Sequence, residues 1–272
     1  MKKILYILIG VLLFTNCEAP IEVEVYDSEP LLVVEAQINW IKETLKTEQE
    51  VVLSISSPYF SNTFEPALGA EVNVVDGKEN LYAFYEKIEN PGHYIPLDTI
   101  PYVLNQKLHL NITYKGQKYT GSESLMPVST IDSITQKPIF FFGKERTQLN
   151  AYCVDPKNEK NFTFFEFTGE PMEISEYNVY RDDFNDGFIY DRFLFGEDFK
   201  VNDEIRFRQY GLSKRGFHYW NLLIEQNTRQ GGPFQNIPAN LNGNIKNISF
   251  PNANPLGYFR ASEVSEVYYL VK

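Results

Sequence analysis

"LLVVEAQI", residues 31–38 of this 272-residue chain, is a stretch in which apolar and polar side chains alternate. The even-numbered positions from 32 to 38 are all apolar, whereas positions 35 and 37 are Glu and Gln. A period of two places successive side chains on opposite faces of a β-strand. The stretch therefore predicts a strand with one face on a core, and the same pattern, broken by turn residues, recurs to the end of the chain.

The first half of the alternating region predicts a β-sandwich. Seven short strands fall within roughly ninety residues, which is typical of immunoglobulin-like domains. Asp76-Gly77 and Lys115-Gly116 mark hairpin turns between them. We therefore expect residues 30–126 to form an N-terminal immunoglobulin-like or transthyretin-like β-sandwich.

The second half, residues 127–272, is predicted to be a further β-rich domain that carries one α-helix. The helix is expected near 213–227, where Ser213 can cap its start and apolar residues from Phe217 onward recur at helical spacing. Packing of this apolar stripe on a sheet is the favoured interpretation, and a partner-binding face is the alternative. The fold class predicted for the whole chain is mainly β.

The start of the chain has the pattern of a secretory signal. Lys2 and Lys3 precede an apolar run of about eleven residues, shorter than the roughly 20 that a helix needs to cross a bilayer. The run ends in Phe14-Thr15-Asn16-Cys17, which resembles the lipobox of bacterial lipoproteins, with Asn16 and Phe14 as departures from the usual residues. Residues 1–16 are therefore predicted to be a lipoprotein signal peptide.

The resemblance to a lipobox implies that Cys17 is lipidated and becomes the first mature residue. Several acyl chains would hold the protein stably on membrane lipid. An ordinary secretory signal with a chance cysteine is the alternative. Residues 17–29 hold five acids and are predicted to be a solvated tether. We expect a lipid-anchored outer-membrane protein. The acidic leader also resembles surface-export signals, which would place the protein on the cell surface, and a plain spacer that leaves the leaflet undecided is the alternative.

Composition narrows the function further. The net charge of −11 opposes binding to phosphate backbones, so nucleic acid is not an expected partner. Apart from Cys17 the chain has one cysteine, Cys153, which excludes an intramolecular disulfide framework. Its place in an alternating stretch predicts a small buried hydrophobic residue rather than a reactive thiol.

No catalytic or metal-binding constellation is recognisable in the sequence. His93, His109 and His218 fall in separate predicted elements, and none has a ligand partner at helical spacing. Residues 181–187 resemble a calcium loop but are one residue short, so a hairpin turn through Asp186-Gly187 is favoured. We therefore expect no enzyme activity, no cofactor and no metal, and the sequence singles out no ligand-binding residue.

Two surface features stay open. Exposed aromatic residues could stack on sugars, although most Tyr and Phe in a β-rich chain belong to its core. Asp98-Thr99-Ile100 and Asp132-Ser133-Ile134 resemble the short acceptor motif for O-glycosylation in Bacteroidota.

The whole mature chain resembles the DUF4249 family of Bacteroidota lipoproteins. The residues that carry the resemblance are Cys17, Leu32–Ala36 with Ile38, Gly69–Val72 with Val74, Pro91–Tyr94, Gly232–Phe234, Pro238–Asn240, Gly243–Ile245 and Pro255–Phe259. The resemblance implies an envelope lipoprotein whose gene often lies beside that of a TonB-dependent outer-membrane transporter. It implies no catalytic residue.

The leading hypothesis is an outer-membrane accessory or binding protein that works with a TonB-dependent transporter in nutrient uptake. A structural or assembly component of the envelope, without a small-molecule ligand, is the alternative. A surface hydrolase would need two carboxylates, or a histidine and an acid, gathered in one cleft.

Overall fold

A computed structural model describes residues 29–57, 64–141, 143–170, 172, 175–183, 187–196, 199–228 and 241–272. The predicted signal peptide, Cys17 and nearly all of the predicted tether lie outside the described residues. Sixteen strands and one helix lie within them: β1 (Leu32–Ile41), β2 (Thr47–Ile55), β3 (Glu65–Pro66), β4 (Glu71–Val75), β5 (Leu81–Glu86), β6 (His93–Pro96), β7 (Lys107–Tyr114), β8 (Gln117–Ser124), β9 (Ile131–Phe141), β10 (Lys144–Val154), β11 (Phe162–Gly169), β12 (Glu176–Arg181), β13 (Ile189–Gly196), β14 (Glu204–Leu212), α1 (Lys214–Thr228), β15 (Ile245–Asn247) and β16 (Leu256–Leu270).

Residues 32–38 of the alternating stretch quoted above form part of a central strand of the structure. In β1, Val34 and Ile38 are fully buried while Glu35 is exposed, which confirms the alternation of the sequence. β1 pairs antiparallel with β2 and parallel with β16. The partner β16 is buried on both faces from Tyr258 to Ser265, as expected for a strand covered on both sides.

One large sheet runs through the chain in the order β12-β11-β14-β16-β1-β2-β6-β5-β4-β7-β8-β15, with β3 paired to β2. Beyond β8 the chain returns to β16: Met126 forms a parallel bridge with Ser262, and the Glu263 amide donates to the Met126 carbonyl at 2.9 Å. The sheet therefore curls round, and apolar residues of β1, β2, β4, β7, β8, β15 and β16 share one core.

The fold is mainly β with one helix, as the sequence predicts. The pairing of the strands, however, runs across residue 127, because β16 from the end of the chain lies next to β1 from its start. The division into domains at 30–126 and 127–272 stays a prediction. Alternation defines which face of a strand is buried, but it does not define the neighbouring strand, so this parallel pairing was not foreseen.

The second half of the chain has three layers. The strands β13-β10-β9 form a small sheet whose buried residues pack on Phe165, Phe167 and Phe207 of the large sheet. On the opposite face, α1 packs through Phe217 and Trp220.

The helix confirms its prediction to within one residue. It spans Lys214–Thr228, and the Ser213 hydroxyl accepts a hydrogen bond from the Gly216 amide at 3.0 Å, which caps its first turn. In the part of the chain that the structure describes, no helix is both long and apolar enough to cross a membrane.

Candidate functional site

The connection between β8 and β9 borders a cleft of about 400 Å³, which we call the junction cleft. Its walls include Lys42, Asp132, Asp155, Asn161 and Thr163, together with the backbone of residues 127–130. These residues come from three separate parts of the sequence: residue 42, residues 127–132 and residues 154–163. Its volume lies within the range of small-molecule sites in proteins.

One wall of the junction cleft is fixed by Glu263, which is buried. One of its carboxylate oxygens accepts hydrogen bonds from the Tyr102 hydroxyl at 3.0 Å, and the other accepts from the Val128 amide at 3.0 Å. The Lys42 ammonium lies 3.5 Å from Glu263 and donates to the Val128 carbonyl at 2.8 Å. Burial, and then the charge of Glu263, raise the pKa of Tyr102 to about 12. The network ties β1, the residue-102 loop and β16 to the β8–β9 connection.

The opposite wall is acidic. Asp155, which is 2% exposed, accepts hydrogen bonds from the Asn161 amide group at 2.7 Å and the Gly187 backbone amide at 3.2 Å. The Asp132 carboxylate accepts from the Val154 amide at 3.1 Å. These bonds orient the two carboxylates but leave further acceptor positions on their oxygens.

Two buried polar atoms of this wall stand out. Among the described residues, neither the Thr163 hydroxyl nor the side-chain oxygen of Asn161 has a hydrogen-bond partner. Thr163 is 1% exposed. Buried polar groups are rarely left unsatisfied, because each costs about 1–3 kcal/mol. Since Lys42 is already paired with Glu263, the junction cleft mainly presents hydrogen-bond acceptors. A ligand that is rich in hydrogen-bond donors would therefore be complementary to it.

A second cleft, of about 320 Å³, lies on the other side of Lys42. We call it the aromatic cleft, because Trp40 and Tyr102 meet edge to face in its wall at 6.0 Å between ring centroids. The Trp40 indole donates to the Ile100 carbonyl at 3.1 Å, which fixes the ring, whereas Tyr102 is half-exposed. Thr99 of the first glycosylation-like motif lines this cleft.

Comparison with known protein families identifies the family of this chain. The DUF4249 family, a domain of unknown function, matches residues 18–267. The chain belongs to the DUF4249 family. A comparison with curated proteins finds no match.

Among solved structures, this DUF4249 chain is similar to a DUF4785 family protein from Legionella pneumophila subsp. pneumophila str. Philadelphia 1. The two are 8% identical, with a TM-score of 0.22, and the match covers 66% of this chain and 52% of the other. The DUF4249 chain thus spans about half the length of that protein.

The three histidines of the DUF4249 chain lie apart, as predicted. His93 begins β6 and its Nδ1 lies 3.1 Å from Glu50, His109 is exposed on β7, and His218 is exposed on α1. Within the described residues, no group of three His, Cys, Asp or Glu side chains is placed to hold a metal ion.

Cys153 is fully buried, as the alternation predicts. Its thiol donates to the Gln209 side chain at 3.0 Å, and burial raises its pKa to about 12. Cys17, the lipidation candidate, lies outside the described residues, as does most of the turn predicted through Asp186-Gly187. Ser133 of the second glycosylation-like motif is exposed near the start of β9.

Sequence patterns singled out none of the cleft residues as ligand-binding. Lys42, Asp155 and Thr163 are ordinary residues of strand ends and turns, and only the pairing of distant strands brings them together. Of the cleft residues, only Asp132 belongs to a motif that the sequence analysis named, and that motif is the glycosylation-like one.

Proposed function

We propose that this DUF4249 chain is a lipid-anchored binding protein of the outer membrane that takes up a small polar solute in the junction cleft and works with a TonB-dependent transporter. The positive start, the short apolar run and Phe14-Thr15-Asn16-Cys17 support the anchor. The family match beginning at residue 18 is compatible with it. The transporter partner follows from the family resemblance.

The observation that carries the binding role is the pair of unpartnered acceptors in the wall of the junction cleft. Within the described residues, the Thr163 hydroxyl and the Asn161 side-chain oxygen have no partner; Thr163 lines the same cleft as Asp155, and the Asn161 amide group donates to the Asp155 carboxylate at 2.7 Å. Both atoms are buried, so a solute with several hydroxyl or ammonium donors would satisfy them once the Thr163 and Asn161 side chains turn towards the cleft. The proposed ligand class is therefore a polyol, such as a sugar, or a small amine.

Replacing Thr163 with Val tests this role through two opposite effects. The change removes a buried hydroxyl that lacks a partner within the described residues and keeps the shape, so the free energy of unfolding without ligand should stay equal or rise. Affinity for a donor-rich solute should fall about 5- to 150-fold, the equivalent of about 1–3 kcal/mol. Thr113→Val on β7, far from the cleft, is the matched control.

The measurement is calorimetric titration of the purified chain with a panel of monosaccharides and polyamines, alongside urea unfolding of each variant. A Thr163→Val chain that is clearly less stable would show that its hydroxyl serves the fold. Equal affinities for parent and variant would remove the junction cleft from the proposal.

Purification from outer membranes in a mild detergent tests the transporter partnership. We expect a β-barrel transporter to co-purify with the tagged chain, and growth of a deletion strain to fail on one nutrient. A general envelope defect without loss of uptake would favour the structural role instead.

A further inference from the structure

The chain enters the fold at one end of the large sheet. The Leu31 amide donates to the Ser56 hydroxyl at 2.9 Å, and the Ser56 amide donates to the Leu31 carbonyl at 2.9 Å. These contacts lie where β1 begins and β2 ends, since Leu32 pairs with Ile55. We call this the tether end of the sheet, because the predicted tether joins the fold here.

The pairing registers bring four other strand starts to the tether end. β6 begins here at His93, β4 at Glu71, β8 at Gln117 and β16 at Leu256. The loops before these strands therefore lie at the end of the sheet where the chain enters. Glu29 indeed lines a shallow pocket with Gln117 and the loop 249–253.

Hydrogen bonds to one carboxylate hold two of these loops together. The Glu86 carboxylate accepts from the Gly92 amide at 2.9 Å and from the Gly69 amide at 2.9 Å. Burial opposes ionisation, but these bonds outweigh it and lower the pKa of Glu86, so the carboxylate stays charged at neutral pH. The loop arrangement is therefore built into the fold.

Five large apolar side chains in the segments that precede β3, β4, β6 and β16 are exposed. Ile88 is 93% exposed and Phe64 is 78% exposed, and more than half of each of the other three side chains is exposed. These three are Leu68, Ile248 and Phe250. Charged residues of both signs, such as Lys115 and Glu89, are exposed in the turns at the same end. Apolar groups spaced among charges on several loops suit an interface between water and lipid better than a dry protein core.

We propose that the tether end rests on the membrane surface, with these five side chains in the boundary between headgroups and acyl chains. The inference rests on the lipid anchor of the proposed function. Eleven residues separate Cys17 from Glu29, so even a fully extended tether spans only roughly 40 Å. An acyl group at Cys17 thus keeps this end within roughly 40 Å of the bilayer. The lipid surface is the occupant that the path of the chain itself brings to these loops.

Depth-dependent fluorescence quenching tests the contact. The full chain, produced with its own leader, carries Ile88→Cys or Phe250→Cys labelled with an environment-sensitive dye and is reconstituted into phosphatidylethanolamine–phosphatidylglycerol vesicles containing spin-labelled lipid. Leu45→Cys is the matched control, since Leu45 is fully exposed in the turn at the opposite end of β1. The buried Cys153 thiol does not compete for label in the folded chain.

We expect the dyes at positions 88 and 250 to be quenched by lipid and the dye at position 45 to be unaffected. A chain that floats with the vesicles but shows no quenching at 88 and 250, or equal quenching at 45, would overturn this inference alone. Shielding of these dyes from water without quenching by lipid would show a protein partner instead and would also overturn it. A chain that does not float with the vesicles would overturn the lipid anchor, and this inference with it.

Discussion

Replacing Arg208 with Met should remove a large part of the stability of the second half of the fold. Arg208 lies in β14 and is 7% exposed. Its Nε donates to Glu266 in β16 at 2.6 Å, and its two terminal nitrogens donate to both carboxylate oxygens of Glu48 in β2 at 2.9 and 2.6 Å. Burial opposes the charge of the guanidinium, but the bonds to Glu48 outweigh it and raise the pKa of Arg208.

The magnitude follows from what the substitution leaves behind. The side chain of Glu266 is 10% exposed and would be left buried without its partner, whereas Glu48 is 37% exposed and can turn to water. Removing one partner of a buried ion pair costs about 3–5 kcal/mol. Because Glu48 can be rehydrated, we expect a loss of about 3 kcal/mol, near the lower end of that range.

Urea unfolding, followed by circular dichroism and tryptophan fluorescence, measures the effect. Arg206→Met is the control, since Arg206 lies on the same face two residues earlier and donates from its Nε to the Thr168 hydroxyl at 3.0 Å. The double change Arg208→Met with Glu266→Leu should recover most of the loss, because apolar residues pack well in place of a buried pair. A loss at Arg208 no larger than at Arg206 would refute this reasoning.

Three further predictions concern single side chains. In urea unfolding, Gly257→Ala should lower the free energy of unfolding more than Gly116→Ala does. Both glycines have positive φ, but a Cβ at 257 would lie 2.0 Å from the Val34 carbonyl oxygen. At 116 no described atom lies within 4 Å of the new Cβ, so only about 1–2 kcal/mol of backbone strain is expected there. Cys153 should resist alkylation at neutral pH until the chain is unfolded, because burial raises its thiol pKa to about 12. Burial opposes the ionisation of Glu50, but hydrogen bonds from neighbouring basic side chains outweigh that effect and lower the pKa of Glu50 below 4.5. The parent should therefore be more stable than Glu50→Gln above pH 4.5, and this difference should disappear as the pH falls through the lowered pKa. Equal costs at the two glycines, alkylation of the folded chain, or a gap that does not change with pH would contradict these expectations.

Local patterns predicted the elements well where one face of each is buried. The alternation at residues 31–38 predicted β1, and Ser213 with its apolar stripe predicted α1. The hairpin of β9 and β10 is longer than its sequence suggests, because Pro138 and the polar residues around it interrupt the alternation. β9 lies at the edge of the small sheet, where proline is tolerated.

These local patterns could not predict how the strands pair in the tertiary structure. The parallel pairing of β1 with β16 joins residues more than two hundred positions apart, and the sequence of neither strand identifies the strand with which it pairs. The junction cleft depends on that pairing, since Lys42 follows β1 and Glu263 belongs to β16. Its acceptors became visible only when the structure showed that Thr163 is buried and, within the described residues, unpartnered.

The mass of the N-terminal peptide, from chain purified out of membranes, tests the lipid anchor most directly. The proposal predicts a peptide that begins at Cys17 and carries thioether-linked and amide-linked acyl chains, together with loss of membrane attachment in Cys17→Ser. A peptide with an unmodified Cys17, or unchanged membrane fractionation of Cys17→Ser, would contradict it.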